Sequence, residues 1–293
     1  MRFVSFQSNG FAGVALHVDG GWHGTTSNQP GFPGDLLSLI KSGGTSLSDA
    51  AAVLKIAGSI DLDAVEVLPP LSDPGKIVCV GLNYTDHSAE SGFKQPDFPT
   101  IFGRFNSSLI AHGAPILRPE VSDQLDYEGE LVAIIGKPAR NVSEAKALDY
   151  VAGYSIFNDG SIRDYQFKAP QWTPGKNFDD TGAFGPWFVT ADELPPGCVG
   201  LRLQTRLNGV VVQDASISDM VFSVARLIEI LSSFMTLLPG DVIVTGTPSG
   251  VGLARKPPLF MKDGDVCEVE IERIGTLSNP IRDRNGKREL RHA

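Results

Sequence analysis

Two glutamates stand close together at the beginning of an apolar run. They are Glu128 and Glu130 of LDYEGELVAIIG, and the residues after them are typical of a buried β-strand. Because side chains on a strand alternate between its two faces, both carboxylates are predicted to point the same way. Like charges held so close repel each other unless a cation lies between them. The pattern therefore indicates a cation site, with two ordinary acids at a solvent-facing strand end as the alternative.

A third carboxylate ends another apolar strand. Asp159 closes the run YSIFND and is followed by Gly160. Three carboxylates at the ends of neighbouring strands would form a cage of oxygen ligands. Such a cage suits Mg²⁺ or Mn²⁺ but not zinc, because zinc prefers histidine and cysteine.

A histidine and a glutamate lie three residues apart in GLNYTDHSAESG. His87 and Glu90 would share one face of a predicted short helix. A carboxylate beside an imidazole raises its basicity and fixes its orientation, as a general base requires. An exposed helix that simply carries these two residues is the alternative.

Two further segments could bind an anion or a substrate. Residues 244–252, VTGTPSGVG, run from a strand into a glycine-rich turn whose N–H groups and Thr247 hydroxyl could hold an anion. Lys176 follows Trp172 in QWTPGKNFDDTGAFGPW, where aromatic neighbours could partly desolvate it and make it a positioned cation. The alternatives are an ordinary tight turn and a surface lysine in a long loop.

The composition limits what kind of protein surrounds these residues. The 293 residues carry 25 Lys and Arg against 34 Asp and Glu, and the net charge of −9 argues against nucleic acid as a partner. The 32 glycines and 20 prolines favour a sheet-rich fold over a helical bundle. Three widely separated cysteines provide neither a disulfide framework nor a metal motif. No apolar segment has the length of a signal peptide or a membrane span, so we expect a cytoplasmic protein with no membrane partner.

The order of predicted elements indicates two domains. Residues 1–70 are predicted to form a small N-terminal domain, which ends at the proline-rich stretch VLPPLSDPGK. Residues 71–293 are predicted to form the main domain, with strands such as KIVCVG and GELVAIIG separated by turns. Within it, Asn208-Gly209 predicts a hairpin turn and FSVARLIEILSSFM predicts an amphipathic helix.

Six segments, in this order, resemble the fumarylacetoacetate hydrolase family. They are VGLNYTDHSAE, DYEGELVAIIGK, YSIFNDGSIRDYQ, GKNFDDTGAFGPW, LNGVVVQD and DVIVTGTPSGVG, and they cover most of residues 76–252. The resemblance implies a strand-rich α+β fold with a mixed β-roll in the main domain and a small N-terminal α/β domain. It also implies a homodimer that acts on a small keto-acid substrate.

The resemblance assigns roles to individual residues of this sequence. One divalent cation per chain, Mg²⁺ or Mn²⁺, would be held by Glu128, Glu130 and Asp159. The catalytic residues would be His87, Glu90 and Lys176. The substrate-binding residues would be Arg163, Gln166 and Thr247.

The chain departs from the family pattern at two positions. Gly160 stands where an aromatic or other larger residue is common, and Arg104 of FGRFNSS stands where many relatives have lysine. We expect these two departures to affect the identity of the substrate rather than the binding of metal.

The activity that the resemblance implies is metal-dependent hydrolysis of the C–C bond of a 2,4-diketo acid, such as an acylpyruvate, fumarylpyruvate or a diketo-deoxy sugar acid. His87, oriented by Glu90, would activate water, and Lys176 would help to hold the charge of the pyruvate enolate. Oxaloacetate decarboxylation or tautomerisation, and isomerisation of 2-hydroxyhepta-2,4-diene-1,7-dioate, are alternatives that use the same enolate. A non-catalytic dicarboxylate-binding protein is a further alternative, but such a protein would need neither the base His87 nor the short lid helix on which the family carries it.

Overall fold

The computed structural model describes residues 1–85 and 97–284. These residues form many β-strands and a few short helices. The helices are α1 Leu36–Ser42, α2 Ser46–Leu54, α3 Glu144–Ala147, α4 Arg163–Gln166, α5 Thr173–Lys176 and α6 Val224–Phe234. None of the helices in the described ranges is long and apolar enough to cross a membrane.

The strands fall into a large sheet and two smaller ones. They are β1 Arg2–Ser8, β2 Phe11–Val18, β3 Gly21–Thr26, β4 Gly58–Ile60, β5 Glu66–Val67, β6 Ile77–Gly81, β7 Thr100–Arg104, β8 Leu109–Ile110, β9 Ile116–Arg118, β10 Leu125–Asp126, β11 Gly129–Ile135, β12 Val151–Asp159, β13 Ser161–Ile162, β14 Gly182–Thr190, β15 Arg202–Leu207, β16 Val210–Ser216, β17 Val242–Val244, β18 Val266–Ile271 and β19 Gly275–Asp283. The strand-rich α+β class predicted from the sequence is confirmed.

The large sheet contains the N-terminal strands as well as strands from the rest of the described chain. Its strand order is β4-β3-β2-β1-β14-β12-β11-β17-β6-β7, with β5 beside β1 and β8 beside β14. A five-stranded sheet has the order β16-β15-β18-β19-β9, and β10 pairs with β13. Because β1 pairs antiparallel with β14, the N-terminal strands extend the sheet that holds the central strands. The division of the chain near residue 70 stays a prediction.

Strand β11 is buried on both faces. Its residues Leu131, Ala133 and Ile135 pack into a core shared with α6 and the five-stranded sheet. The alternate residues Val132 and Ile134 pack on the opposite face, in a core shared with α1 and the N-terminal strands. Burial on both faces explains why the sequence of this strand is a continuous apolar run rather than an alternating one.

The predicted hairpin and the predicted helix are both present. Asn208 and Gly209 join β15 to β16 with φ values of 51° and 78°, as a two-residue hairpin turn requires. Helix α6 begins after Ser223, whose hydroxyl accepts a hydrogen bond from the Arg226 N–H. Its apolar side chains, among them Leu227 and Leu231, face the core.

Candidate active site

The three carboxylates predicted to hold a cation lie together in a buried position. Strands β11 and β12 are antiparallel, and the Asp159 N–H donates to the Glu128 carbonyl at 2.9 Å, which brings the end of one strand beside the start of the other. One oxygen from each of Glu128, Glu130 and Asp159 lies within 4.8 Å of the other two. These residues are at most 5% exposed, so the alternative of solvent-facing acids is wrong.

Lys176, at the end of α5, is buried against two of these carboxylates. Its Nζ donates to Glu128 Oε2 at 2.6 Å and to Asp159 Oδ2 at 2.7 Å. Burial alone would lower the pKa of Lys176, but the negative charges of Asp159 and Glu128 outweigh burial and raise the pKa above its ordinary value. Lys176 is therefore a charged ammonium inside the site and not a surface lysine.

Arg163 joins the site to a carboxylate that the sequence analysis did not single out. Its Nε donates to Asp126 Oδ2 at 2.8 Å, and its Nη2 lies 2.7 Å from Glu128 Oε1. Its Nη1 donates to Gln166 Oε1 at 2.8 Å. Asp126 also accepts from the N–H of Gly252 at 2.7 Å, which ties the end of the glycine-rich segment to the same carboxylate. Arg163 is thus fixed on three sides.

The glycine-rich segment contacts Glu130 through its backbone and the neighbouring Gly129 through Thr247. The Gly246 N–H donates to Glu130 Oε2. The Thr247 hydroxyl donates to the Gly129 carbonyl at 3.0 Å and accepts from Gln213 Nε2 at 2.8 Å. Thr247 lines the cavity beside the carboxylates, but its proton is already engaged with the backbone. A ligand at Thr247 would therefore donate to its oxygen.

Glu130 differs from its neighbours because no cation of the described residues forms an ion pair with it. Burial, together with the charges of Asp159 and Glu128, raises the pKa of Glu130 well above its ordinary value. Within the described ranges the buried acids of the cluster outnumber its bases by one. The acids are Asp126, Glu128, Glu130 and Asp159, and the bases are Arg104, Arg163 and Lys176. A cluster of oxygen donors that has one more acid than base suits a hard divalent cation.

A cavity opens beside the carboxylates. Its polar side is formed by Glu128, Glu130 and Lys176 together with the substrate-binding candidates. Its apolar side includes Phe102 and Trp172, whose rings meet edge to face with centroids 5.6 Å apart. A Cβ on Gly81 would come within 2.2 Å of the Trp172 ring, so only glycine allows this ring to lie where it does. The cavity therefore offers a charged end and an aromatic wall.

Comparison with known proteins identifies the family. The family model "Fumarylacetoacetate (FAA) hydrolase C-terminal" matches residues 76–282. The chain belongs to this family. The resemblance seen in the sequence is thereby confirmed, and so is the fold that it implied.

Family members that are named for different activities are similar to this chain. "Oxaloacetate tautomerase fahd2, mitochondrial" of Xenopus laevis is 39% identical over 289 residues, which are 96% of this chain and 90% of the relative. A fumarylacetoacetate hydrolase of Exiguobacterium antarcticum is 36% identical with a TM-score of 0.84, over 97% of this chain and 100% of its own. Maleylpyruvate hydrolase of Sphingobium sp. SYK-6, solved with manganese(II) and pyruvate, is 26% identical with a TM-score of 0.79, over 97% of this chain and 100% of its own.

These family members bear on three earlier expectations. The chain is similar to enzymes, both hydrolases and a tautomerase, but the specific hydrolytic reaction is not confirmed. One relative was solved with manganese. The acidic triad of this chain, which consists of Glu128, Glu130 and Asp159, could bind a metal of that kind. The Xenopus relative is named as mitochondrial, and the cytoplasmic location of this chain stays a prediction.

Two predicted residues of the family site cannot be placed. His87 and Glu90, the predicted general base and its partner, lie outside the described residues. The other seven predicted residues meet at one place: six line the cavity, and Asp159 is joined to it through Lys176. Their catalytic and binding roles stay predictions.

Sequence reasoning missed Asp126 and Gln213, which contact Arg163 and Thr247 respectively. Asp126 lies two residues before Glu128, and Gln213 lies inside the LNGVVVQD segment. The only available signal was therefore that both residues stand in segments carrying the family resemblance.

Proposed function

We propose that this chain catalyses keto–enol tautomerisation of oxaloacetate or of a closely related 2-oxo dicarboxylic acid. The observation that carries the proposal is the buried arrangement of Lys176 against Glu128 and Asp159, at the wall of a cavity that Glu130 also lines. A charged ammonium, together with a divalent cation that the acidic triad would hold, suits a reaction that builds negative charge on oxygen.

The acidic triad would hold the cation, and the neighbouring bases would hold the substrate. Glu128, Glu130 and Asp159 supply oxygen ligands for Mg²⁺ or Mn²⁺. When bound there, such a cation would supply Lewis-acid polarisation of a 2-oxo carboxylate. Lys176 carries a fixed positive charge next to the same space, so it would favour the enolate form of the substrate over the neutral ketone.

Gln166 has the chemistry to orient the substrate. Its amide oxygen accepts from Arg163, and because a guanidinium cannot accept, this contact fixes which way the amide faces. The Gln166 Nε2 has no hydrogen-bond partner among the described residues, and the residue lines the cavity. It would therefore donate to a carboxylate or oxo oxygen of the substrate.

The choice between tautomerisation and hydrolysis rests on what each reaction needs. Both pass through an enolate, but hydrolysis also needs an activated water molecule, whereas tautomerisation moves only a proton between carbon and oxygen. The described cavity supplies the part common to both. The Xenopus oxaloacetate tautomerase, similar over nearly the whole chain, supports tautomerisation. The hydrolysis expected from the sequence becomes the second candidate, supported by the names of the two solved relatives.

The proposal is tested by following the enol of oxaloacetate. The purified protein is given enol oxaloacetate with Mn²⁺ or Mg²⁺, and the enol absorbance is followed together with pyruvate and CO₂. We expect faster loss of the enol with neither pyruvate nor CO₂ formed. Lys176→Met should lower the rate by about 100-fold or more, whereas Lys55→Met, at an exposed position after α2, should not change it.

Other products would point to the other reactions. Pyruvate with CO₂ from oxaloacetate would indicate decarboxylation. Pyruvate with a carboxylic acid from an acylpyruvate, with no faster loss of enol oxaloacetate, would replace this proposal by hydrolysis. Isomerisation of supplied 2-hydroxyhepta-2,4-diene-1,7-dioate, without pyruvate formation from oxaloacetate or from an acylpyruvate, would indicate the isomerase.

A further inference from the structure

Arg104, the last residue of β7, contacts Asp159 of the acidic triad but does not line the cavity. It is buried, with 4% of its surface exposed, and it does not belong to the residues that line the cavity. Its Nη1 donates to Asp159 Oδ1 and, at 3.2 Å, to the Gly160 carbonyl. Arg104 therefore touches a predicted metal ligand and not the space that a substrate would occupy.

The rest of the Arg104 guanidinium is held in place by its surroundings. Nη2 donates to the Thr181 hydroxyl at 2.8 Å, and Nε donates to the Ser108 hydroxyl at 3.2 Å. The guanidinium carbon lies 5.5 Å from the centroid of the Phe157 ring. A Cβ on Gly182 would come within 2.8 Å of Nη2, so the backbone also leaves just enough room for this group. Only a planar guanidinium, with its several N–H donors, can make all these contacts.

The two oxygens of the Asp159 carboxylate are thus held by two different cationic side chains, Lys176 and Arg104. Oδ2 accepts from Lys176, which is shared with Glu128, whereas Oδ1 accepts from Arg104. In the described structure Arg104 forms an ion pair with no other carboxylate. Lys176 lines the cavity and Arg104 does not, so a ligand in the cavity would meet Lys176 and not Arg104.

We propose that Arg104 is a positioning residue that orients Asp159 as a metal ligand and thereby sets the affinity of the triad for its divalent cation. The inference rests on the metal site of the proposed function. It differs from the expectation that this position affects substrate identity, because Arg104 lies outside the cavity lining. Groups that orient metal ligands typically change metal affinity by about 10–100-fold when they are removed.

Removing Arg104 would have two opposite effects on metal binding. The loss of a positive charge near the triad favours binding of a cation, because the repulsion between Arg104 and the metal disappears. The loss of the fixed hydrogen bond to Asp159 disfavours binding, because the carboxylate must then be ordered by the metal itself. The proposal states that the second effect is the larger.

Two substitutions separate charge from geometry. Arg104→Lys keeps the charge but cannot reproduce the contacts to Thr181 and Ser108, whereas Arg104→Met removes both charge and contacts. Arg206→Lys is the control, because Arg206 lies on β15 in the five-stranded sheet and pairs with Glu268 and Glu270. The Kd for Mn²⁺ is measured by titration calorimetry of metal-free protein, without substrate, and near-ultraviolet circular dichroism reports whether each variant is folded.

We expect Arg104→Met to raise the Kd for Mn²⁺ by about 10–100-fold, Arg104→Lys to raise it by a smaller factor, and Arg206→Lys to leave it unchanged. If Arg104→Met does not fold, the result for Arg104→Lys decides. The ratio of kcat/KM for two different 2-oxo acids should be the same in Arg104→Lys as in the unaltered protein.

Four results would overturn the inference. Arg104→Lys with an unaltered Kd, or Arg104→Met with tighter Mn²⁺ binding, would show that Arg104 acts through its charge alone. A changed ratio of kcat/KM with an unaltered Kd would make Arg104 a specificity residue. If the unaltered protein binds no Mn²⁺ or Mg²⁺, the metal site of the proposed function fails as well, which distinguishes that failure from the other three results.

Discussion

Gln213 donates from Nε2 to the Thr247 hydroxyl at 2.8 Å, and its Oε1 accepts from the Gly129 N–H at 3.0 Å. Gln213 belongs to β16 of the five-stranded sheet, whereas Gly129 lies between Glu128 and Glu130 at the start of β11. One buried amide therefore links the smaller sheet to both the acidic triad and the glycine-rich segment.

Replacing this amide by a carboxylate should destabilise the protein. In Gln213→Glu, an oxygen would face the Thr247 hydroxyl and the Pro248 carbonyl, which now accept from Nε2. A buried donor exchanged for a charged acceptor should lower the free energy of unfolding by about 3 kcal/mol. Urea denaturation of this variant and of Gln171→Glu, at an exposed position, measures the effect. Equal losses of stability in the two variants would contradict this role of Gln213.

Glycine at position 129 is required by close packing. A Cβ there would lie 2.2 Å from Thr205 Oγ1 and 2.9 Å from Val269 Cγ1. We expect Gly129→Ala to lower the free energy of unfolding by about 1–3 kcal/mol, because these neighbours must move apart. Gly58→Ala is the matched control, since a Cβ at that exposed strand position meets nothing within 4 Å. Chemical denaturation of both variants decides; a Gly129→Ala protein as stable as its control would refute the packing argument.

Asp126 is predicted to be a strong determinant of stability although no reaction step requires it. Asp126→Asn keeps the shape of the side chain but removes one of the two carboxylates that pair with the buried Arg163, and only Glu128 remains. Breaking one half of a buried ion pair typically costs about 3–5 kcal/mol. Asp123→Asn, which removes an exposed partner of Arg118, should cost at most about 1 kcal/mol. Thermal and urea unfolding curves should therefore separate the two asparagine variants clearly.

Divalent metal should stabilise the folded chain through Glu130. At about 100 times its Kd, a ligand that binds only the folded state adds roughly 2.7 kcal/mol, so Mn²⁺ should raise the Tm of metal-free protein. Glu130→Gln should abolish most of this rise, because it removes one of the three charged ligands. Glu66→Gln, at an exposed position on β5, should keep the full rise. Differential scanning fluorimetry with and without chelator is sufficient, and a full Mn²⁺ response in Glu130→Gln would place the metal elsewhere.

His112 should make the protein less stable in mild acid. Burial lowers the pKa of His112, and the Ser278 N–H donates to its Nδ1 at 3.0 Å, which needs the lone pair of the neutral ring. Because the folded-state pKa lies below the unfolded value of about 6.5, the unfolded chain takes up the proton first. The stability that neutral His112 contributes is therefore complete above about pH 6.5 and is lost as the pH falls towards the folded pKa.

The substitution His112→Gln isolates this effect, since glutamine can still accept from Ser278. Asp63 and Glu66 line the same surface groove, but burial is the cause that lowers the pKa of His112. Between about pH 7.5 and 5.5 the Tm of His112→Gln should fall less than that of the unaltered protein. Parallel curves for the two proteins would contradict the prediction.

The parts of the site that could be predicted are those governed by local rules. The alternation of side chains along a strand correctly placed Glu128 and Glu130 on one face, and the end of an apolar run correctly placed Asp159 nearby. By contrast, Arg104 lies 55 residues from Asp159, and Gln213 lies 34 residues from Thr247. Spacing carries no information about such contacts, because the pairing of distant strands creates them.

The N-terminal region shows the same limit. The proline-rich stretch near residue 70 predicts where a small N-terminal domain would end, but the pairing of β1 with β14 joins residues nearly two hundred positions apart. Which edge of a sheet receives a given strand depends on the shapes of both partners, and no local pattern records it.

The two cores on either side of β11 help to determine the register in which this strand pairs with β12. If β11 slipped by one residue against β12, every side chain would change faces, and Glu128 and Glu130 would enter the core around α6 while Leu131 would face the acidic side. The core around α6 would then contain two unpaired carboxylates, at a cost of several kcal/mol. The carboxylates that we propose as metal ligands thus also disfavour the wrong strand register.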